Sequence, residues 1–326
     1  MAASYEFATG SVRVREGALL STADLAQLMA APDETTMAAM LRDKGFGDPA
    51  APTDTVEELL RWQTTQTWQY LFSLLPDPSL LQVFLIRHDL HNAKCLLKGT
   101  LGNRKVDGLL MQPTITPPGV IADAIKAKSF TDLPAWMAAA LESAYDTLAQ
   151  SGDVQRADAL LDRAAMEEML RMAAATNVDM LQKIVTATVF YADVTLALRA
   201  ARVHMPESYL DVALCPCEGV DPCEWKRALR SGEDELIELL SQTDAFDCAA
   251  AMEAYRRAPV FFEKWVDDYR LSLARVGKMV TAGPEPLLGY LLAREAEDKA
   301  VRMAATGIRT GQSVETMQER MRELYG

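Results

Sequence analysis

Apolar positions recur at helical spacing along almost the whole chain, and nowhere does a convincing two-residue alternation appear. In the stretch 79–99, SLLQVFLIRHDLHNAKCLLKG, Val83, Ile86, Leu90, Ala93 and Leu97 step by three and four residues and make one continuous helix face. Leu81, Phe84, Leu85, Cys95 and Leu96 are apolar on other sides, so this helix is expected to be covered over most of its circumference. A covered helix must pair its polar groups. Asp89 has only Asn92 within reach on its own helix, so its cationic partner is expected from another element, with Arg13 or Arg15 as candidates.

The remaining elements follow from caps and breakers. Residues 5–20 read as an ordered opening segment. Ser21 and Asp24 form a capping box that starts a helix at about Thr22, ended by Pro32. A second helix over 35–44 stops at the Gly45 and Gly47 pair. Asp54 with Glu57 offers a further cap, for a helix running through Trp62 and Trp68 to Leu75, where Pro76 and Pro78 end it. Beyond a linker rich in Gly and Pro, proline at Pro117 and Pro118 opens helices over 120–126, 132–149, 154–177 and 179–203. Further helices are expected over 245–258, 259–280 and 287–307, after one capped by Ser231 and Asp234. A tail helix over 311–325 is capped by Ser313. The fold class is all-α.

The helix at 79–99 has two counterparts. Asp89, Asn92 and Lys94 form an acid-x-x-N-x-K pattern, and acids return in VFYADVTLALRAARVHM at Asp193 and in YLLAREAEDKAVRMAATGI at Glu297. The spacing is constant (193 − 89 = 104 and 297 − 193 = 104). A chain of 326 residues therefore reads as three units of one length, 1–113, 114–219 and 220–326, the last with the tail helix.

Composition narrows the class. At 49% hydrophobic and 24% charged residues the chain is not of the disordered type. Apolar runs are cut by charge or proline before they reach the ~20 residues of a membrane span. The first residues lack the apolar core of a signal peptide, so an intracellular protein is expected. A net charge of −13 repels phosphates and disfavours nucleic-acid binding. Five cysteines without a secretory signal do not suggest a disulfide framework.

Candidate chemistry is sparse. The acids Asp89, Asp193 and Glu297 have unequal neighbours: Asn92 and Lys94 in the first unit, Leu196 and Leu198 in the second, Ala300 and Arg302 in the third. That inequality favours structural acids, one holding each unit, over a catalytic set. Cys215, Cys217 and Cys223 form C-x-C-x5-C, which with a fourth ligand could hold zinc, although the spacing is not that of a standard knuckle. His88 and His91, three apart on one helix, permit joint metal ligation, while His88 and Asn92 could hydrogen-bond at four. Asp267 and Asp268 lack further acids one turn on and read as a solvated face. There is no phosphate-binding glycine loop, no nucleophile elbow and no plausible triad.

The residues also carry a resemblance. YEFATGSVRVREGALLSTADLAQLM resembles the opening of the C subunit of V/A-type rotary ATPases, the counterpart of the eukaryotic V-ATPase d subunit. HDLHNAKCLLKG is similar to that family's D-x-x-N-x-K-x-L-L segment, and EAEDKAVRMAATGIRTG to its closing E-x-x-x-x-N-I-R segment, with Ala300 in place of asparagine. The resemblance implies three similar helical bundles arranged as a funnel with pseudo-threefold symmetry. It further implies a non-catalytic adaptor of the central stalk, cytoplasmic and peripheral to the membrane, without a cofactor. Its partners would be central stalk subunits of the D/F type and a membrane rotor ring of proteolipid subunits, coupled for ATP-linked proton or sodium transport. The alternative is a free-standing helical scaffold that binds another protein through a concave face.

Overall fold

The computed structural model describes residues 4–53 and 55–326, and every regular element among them is helical. The expected Asp54 cap lies outside the described residues. The opening segment proves to be a helix, α1 (Tyr5–Glu16), whose N-cap Ser4 accepts from the Phe7 amide. Glu6 in its first turn and Arg13 and Arg15 in its last complement the helix dipole. It is followed by α2 (Thr22–Met29), with the reciprocal Ser21–Asp24 box in place, and α3 (Glu34–Asp43), capped by Asp33. Two longer helices come next, α4 (Val56–Leu74) and α5 (Ser79–Leu101).

The middle of the chain forms α6 (Pro118–Ala127), α7 (Ala135–Ser151), α8 (Val154–Ala174), α9 (Asp179–Arg202) and the short α10 (Ser208–Ala213). Then come α11 (Pro222–Ser231), α12 (Glu233–Ser241), α13 (Cys248–Arg257) and α14 (Pro259–Ala274). A 3-10 turn, Arg275–Met279, leads to α15 (Glu285–Arg309), and α16 (Val314–Arg320) closes the helical part.

Three expectations are corrected. Ser231 and Asp234 do not cap α12, because Ser231 is the last residue of α11 and the cap position is Gly232, at φ 119°, with no side-chain bond. Asp221 caps α11 instead, accepting from the amides of Cys223 and Glu224. The tail helix ends at Arg320, and residues 321–326 leave it extended, with Met321 at φ −66° and ψ 135°. In addition, α9 is by length and composition apolar enough to cross a membrane, although 67% of its apolar window is buried within the protein. That apolar surface serves packing against α8, α10, α11 and α12.

Two compact units result, one of Met1–Pro78 with Glu253–Gly326 and one of Ser79–Met252. In the first, α15 packs against α1, α2, α3, α4, α14 and α16. Its core joins Leu25, Leu28, Met37 and Leu41 to Ala300, Val301 and Ala304, so helices from the two ends of the chain share one apolar interior. In the second unit α5 packs against α6, α7 and α8, and a core runs from Ala93 and Leu97 through Ile125, Met137 and Leu141 to Leu161. A further aromatic group surrounds α9, where the Phe190 ring lies 5.1 Å from Tyr191 and Phe246 and 6.2 Å from Trp225. The long helix α5 thus packs against helices that follow it in the chain, α9 against helices on both sides of it, and α15 also reaches back to the first ones.

Candidate functional site

The second half of α5 presents a polar row to the segment that follows it. His88 Nδ1 donates to the Pro113 carbonyl at 2.7 Å, and His91 Nε2 to the Leu109 carbonyl at 2.8 Å. Asn92 binds Met111 through both atoms of its amide: Nδ2 donates to the carbonyl at 3.0 Å, and Oδ1 accepts from the amide at 2.8 Å. Asp89 accepts from the amides of Ile115 at 3.0 Å and Thr116 at 2.8 Å. The contacted residues 109, 111, 113, 115 and 116 all belong to the connection between α5 and α6, which has no regular structure beyond the 3-10 turn Asp107–Leu109. About one turn of α5 therefore pairs the backbone groups of a linker that no sheet or helix satisfies.

This overturns the expectation of a cationic partner for Asp89. The partner of Asp89 is a pair of backbone N–H donors and not a guanidinium. Arg13 is held elsewhere, donating to Glu16 at 2.7 Å and to the carbonyls of Gly277, Lys278 and Val280 at 2.7, 2.9 and 3.2 Å. Arg15 stacks 3.5 Å above the Tyr70 ring. The histidines hold carbonyls, which occupies ring nitrogens that metal ligation would use; His91 Nε2 is also 3.4 Å from Cys95 Sγ.

The other two acids repeat the arrangement with different surroundings. Asp193 is fully buried and accepts from the Cys215 amide at 3.0 Å. Burial pushes its pKa up to about 7, since only that amide and the charge of Arg163 offset the loss of water. Glu297, 2% exposed, accepts from the Leu20 amide at 2.6 Å and pairs with Arg294. Burial raises the pKa of Glu297 and of Asp89 as well. Leu20 and Thr116 stand just ahead of α2 and α6, and Cys215 lies in the loop between α10 and α11. Each acid therefore fixes a backbone segment that connects two helices.

Cations on two of the three long helices pair with acids on neighbouring helices. Lys94 on α5 pairs with Asp162 on α8, and Arg302 on α15 pairs with Glu57 on α4 and with Asp298 at 2.8 Å. In α9 the position belongs to Leu198, which is buried and has no charge to pair.

Among the described residues no three or more His, Cys, Asp or Glu side chains are grouped so as to hold a metal ion. Cys215 is buried and Cys223 exposed, so the three sulfurs of C-x-C-x5-C face different surroundings. Burial pushes the Cys217 thiol up to about 12 and that of Cys215 up as well, whereas zinc takes thiolates. Asp267 and Asp268 are not a solvated face: they hold Lys299, Arg322 and the Glu323 amide. The pairing of backbone amides with single acids was not visible in sequence, because an amide carries no residue-type signal. The regular recurrence of lone acids in apolar helices was the signal that something must meet them.

A family profile described as ATP synthase (C/AC39) subunit matches residues 8–320. The chain is also similar to the C subunit of the V-type sodium ATPase of Enterococcus hirae, 23% identical over 270 residues, which are 82% of each chain. A match that runs from α1 to the end of α16 takes in all three acids and the backbone segments they hold, so the chain belongs to the ATP synthase (C/AC39) subunit family.

Proposed function

We propose that this chain is a non-catalytic adaptor in a V/A-type ATPase or ATP synthase, coupling the rotating central stalk to the membrane rotor ring during ATP-linked proton or sodium transport. The observation that carries the reading is the family match over residues 8–320. The geometry supports it: the buried acids hold backbone rather than facing a substrate, which suits a part that transmits force without doing chemistry. On this reading the repeats 1–113, 114–219 and 220–326 form three bundles, each built on one long helix, and together a funnel of pseudo-threefold symmetry. Stalk subunits of the D/F type and the proteolipid ring are its partners, and it sits on the cytoplasmic face, peripheral to the membrane. It uses no cofactor.

Copurification tests the proposal. Affinity-tagged stalk subunits mixed with detergent-solubilised ring should retain the ring only when this chain is present. Retention of the ring at equal yield without the chain would refute the adaptor role and leave a scaffold for some other partner.

A further inference from the structure

The extended residues 321–326, Met-Arg-Glu-Leu-Tyr-Gly, lie in a groove of their own unit. Tyr325 is 2% exposed and Leu324 8%. The Tyr325 hydroxyl occupies space left open by Gly289 on α15, where a Cβ would lie 2.6 Å from it. Lys278 covers the ring at 4.6 Å and also holds the Tyr325 carbonyl. Arg275 donates to the Leu324 carbonyl at 2.6 Å and pairs with Glu323 at 2.7 Å. On α14, Asp268 accepts from the Glu323 amide at 2.7 Å, and Asp267 accepts from Arg322 at 2.8 Å. Leu324 and Met321 join the apolar cluster of Leu20, Leu25 and Met29.

This is how a protein holds an extended peptide ligand: backbone groups paired at the rim, one aromatic anchor in a fitted seat, one aliphatic anchor beside it. The groove is built jointly by α2, α14 and α15 with the 3-10 turn between the last two. The same turn receives Arg13 of α1 through the carbonyls of Gly277, Lys278 and Val280. The tail thus sits where elements from the two ends of the chain meet. It does not fill its groove, for a cavity of about 460 Å³ remains along it, lined in part by Thr22, Leu25, Lys264 and Gln318. The same cavity borders Met321, Arg322, Glu323, Leu324 and Gly326, so the segment is open along one flank although two of its side chains enter the core.

We infer that residues 321–326 are a detachable clasp, a peptide ligand carried in cis that locks α1 and α2 onto α14 and α15 and can leave its groove without unfolding the unit. The inference is independent of the adaptor role and would survive its failure.

The test uses the chain truncated after Arg320, the full chain, and full-length Tyr325→Ala. The truncated chain should stay helical by circular dichroism, while amide exchange in α1, α2 and the first half of α15 rises at least about tenfold. A fluorescent peptide MRELYG should bind it saturably and restore protection, whereas the same peptide with alanine for tyrosine should not bind. The full chain, its groove occupied, should bind neither. Full-length Tyr325→Ala should show the raised exchange and take up the MRELYG peptide. An unfolded truncated chain would overturn detachability, because the tail would then be part of the core. A folded truncated chain with unchanged exchange, or with no affinity for the peptide, would overturn the clasp, as would a Tyr325→Ala chain that behaves like the parent.

Discussion

The backbone N–H of Leu20 donates to the carboxylate of Glu297 at 2.6 Å, across 277 residues of sequence. Glu297 also pairs with Arg294, itself largely buried, so this acid holds a chain segment and neutralises a cation at once. Asp89 and Asp193 hold backbone alone. Removing one partner of a buried ion pair strands the other charge and costs about 3–5 kcal/mol. Orphaning buried amides costs about 1–3 kcal/mol. Glu297→Ala should therefore destabilise the protein more than Asp89→Ala, with the denaturant midpoint of unfolding as the measurement. Equal losses would mean that the Arg294 pair adds nothing to the fold.

Asp193 makes stability depend on pH. Its folded pKa of about 7 lies above the ordinary 3.8, so the folded state binds more protons than the unfolded state between these values. The resulting stabilisation is present in full below pH 3.8 and is lost as pH rises through about 7. Burial of Asp89 and Glu297 acts in the same direction. Asp193→Asn, whose side-chain oxygen still accepts from Cys215, should flatten the slope of unfolding free energy in that window by up to about 1.4 kcal/mol per pH unit. Chemical denaturation at several pH values reads this slope, and an unchanged slope would place the proton elsewhere.

Arg13 reaches three carbonyls and one carboxylate with one planar group, a set that a single ammonium cannot span. Arg13→Lys should lower stability by about 1–2 kcal/mol although charge is conserved. Loss of protection at the 3-10 turn Arg275–Met279 in hydrogen exchange would locate the effect there.

Zinc should not stabilise this chain. Cys215 and Cys217 both resist ionisation through burial, and the Cys215 amide is already engaged by Asp193. Titration with zinc should leave the melting temperature unchanged, and a stoichiometric rise abolished by Cys217→Ser would restore a metal role for the loop.

Local signals were legible in the sequence. The Ser21–Asp24 box and the Ser313 cap rest on residues within one turn of each other, and each caps the helix assigned to it. Helix α1 was less plain, since only Ala8, Thr9 and Val12 are buried along its twelve residues and Gly10 interrupts the pattern. Lone acids at a 104-residue period announced a repeated structural need. What they hold was hidden, because Leu20, Thr116 and Cys215 contribute only their amides, and any residue but proline could do so. Tyr325 shows the same limit: its seat is the absence of a side chain at Gly289, far away in sequence.

As the proposed adaptor, this chain would carry torque and do no chemistry. ATP-driven ion uptake in vesicles containing the rotary complex, reassembled with and without the chain, tests that role. Without the chain the catalytic head should still hydrolyse ATP while uptake is lost, and adding the chain back should restore uptake. Undiminished uptake in its absence would refute the adaptor role.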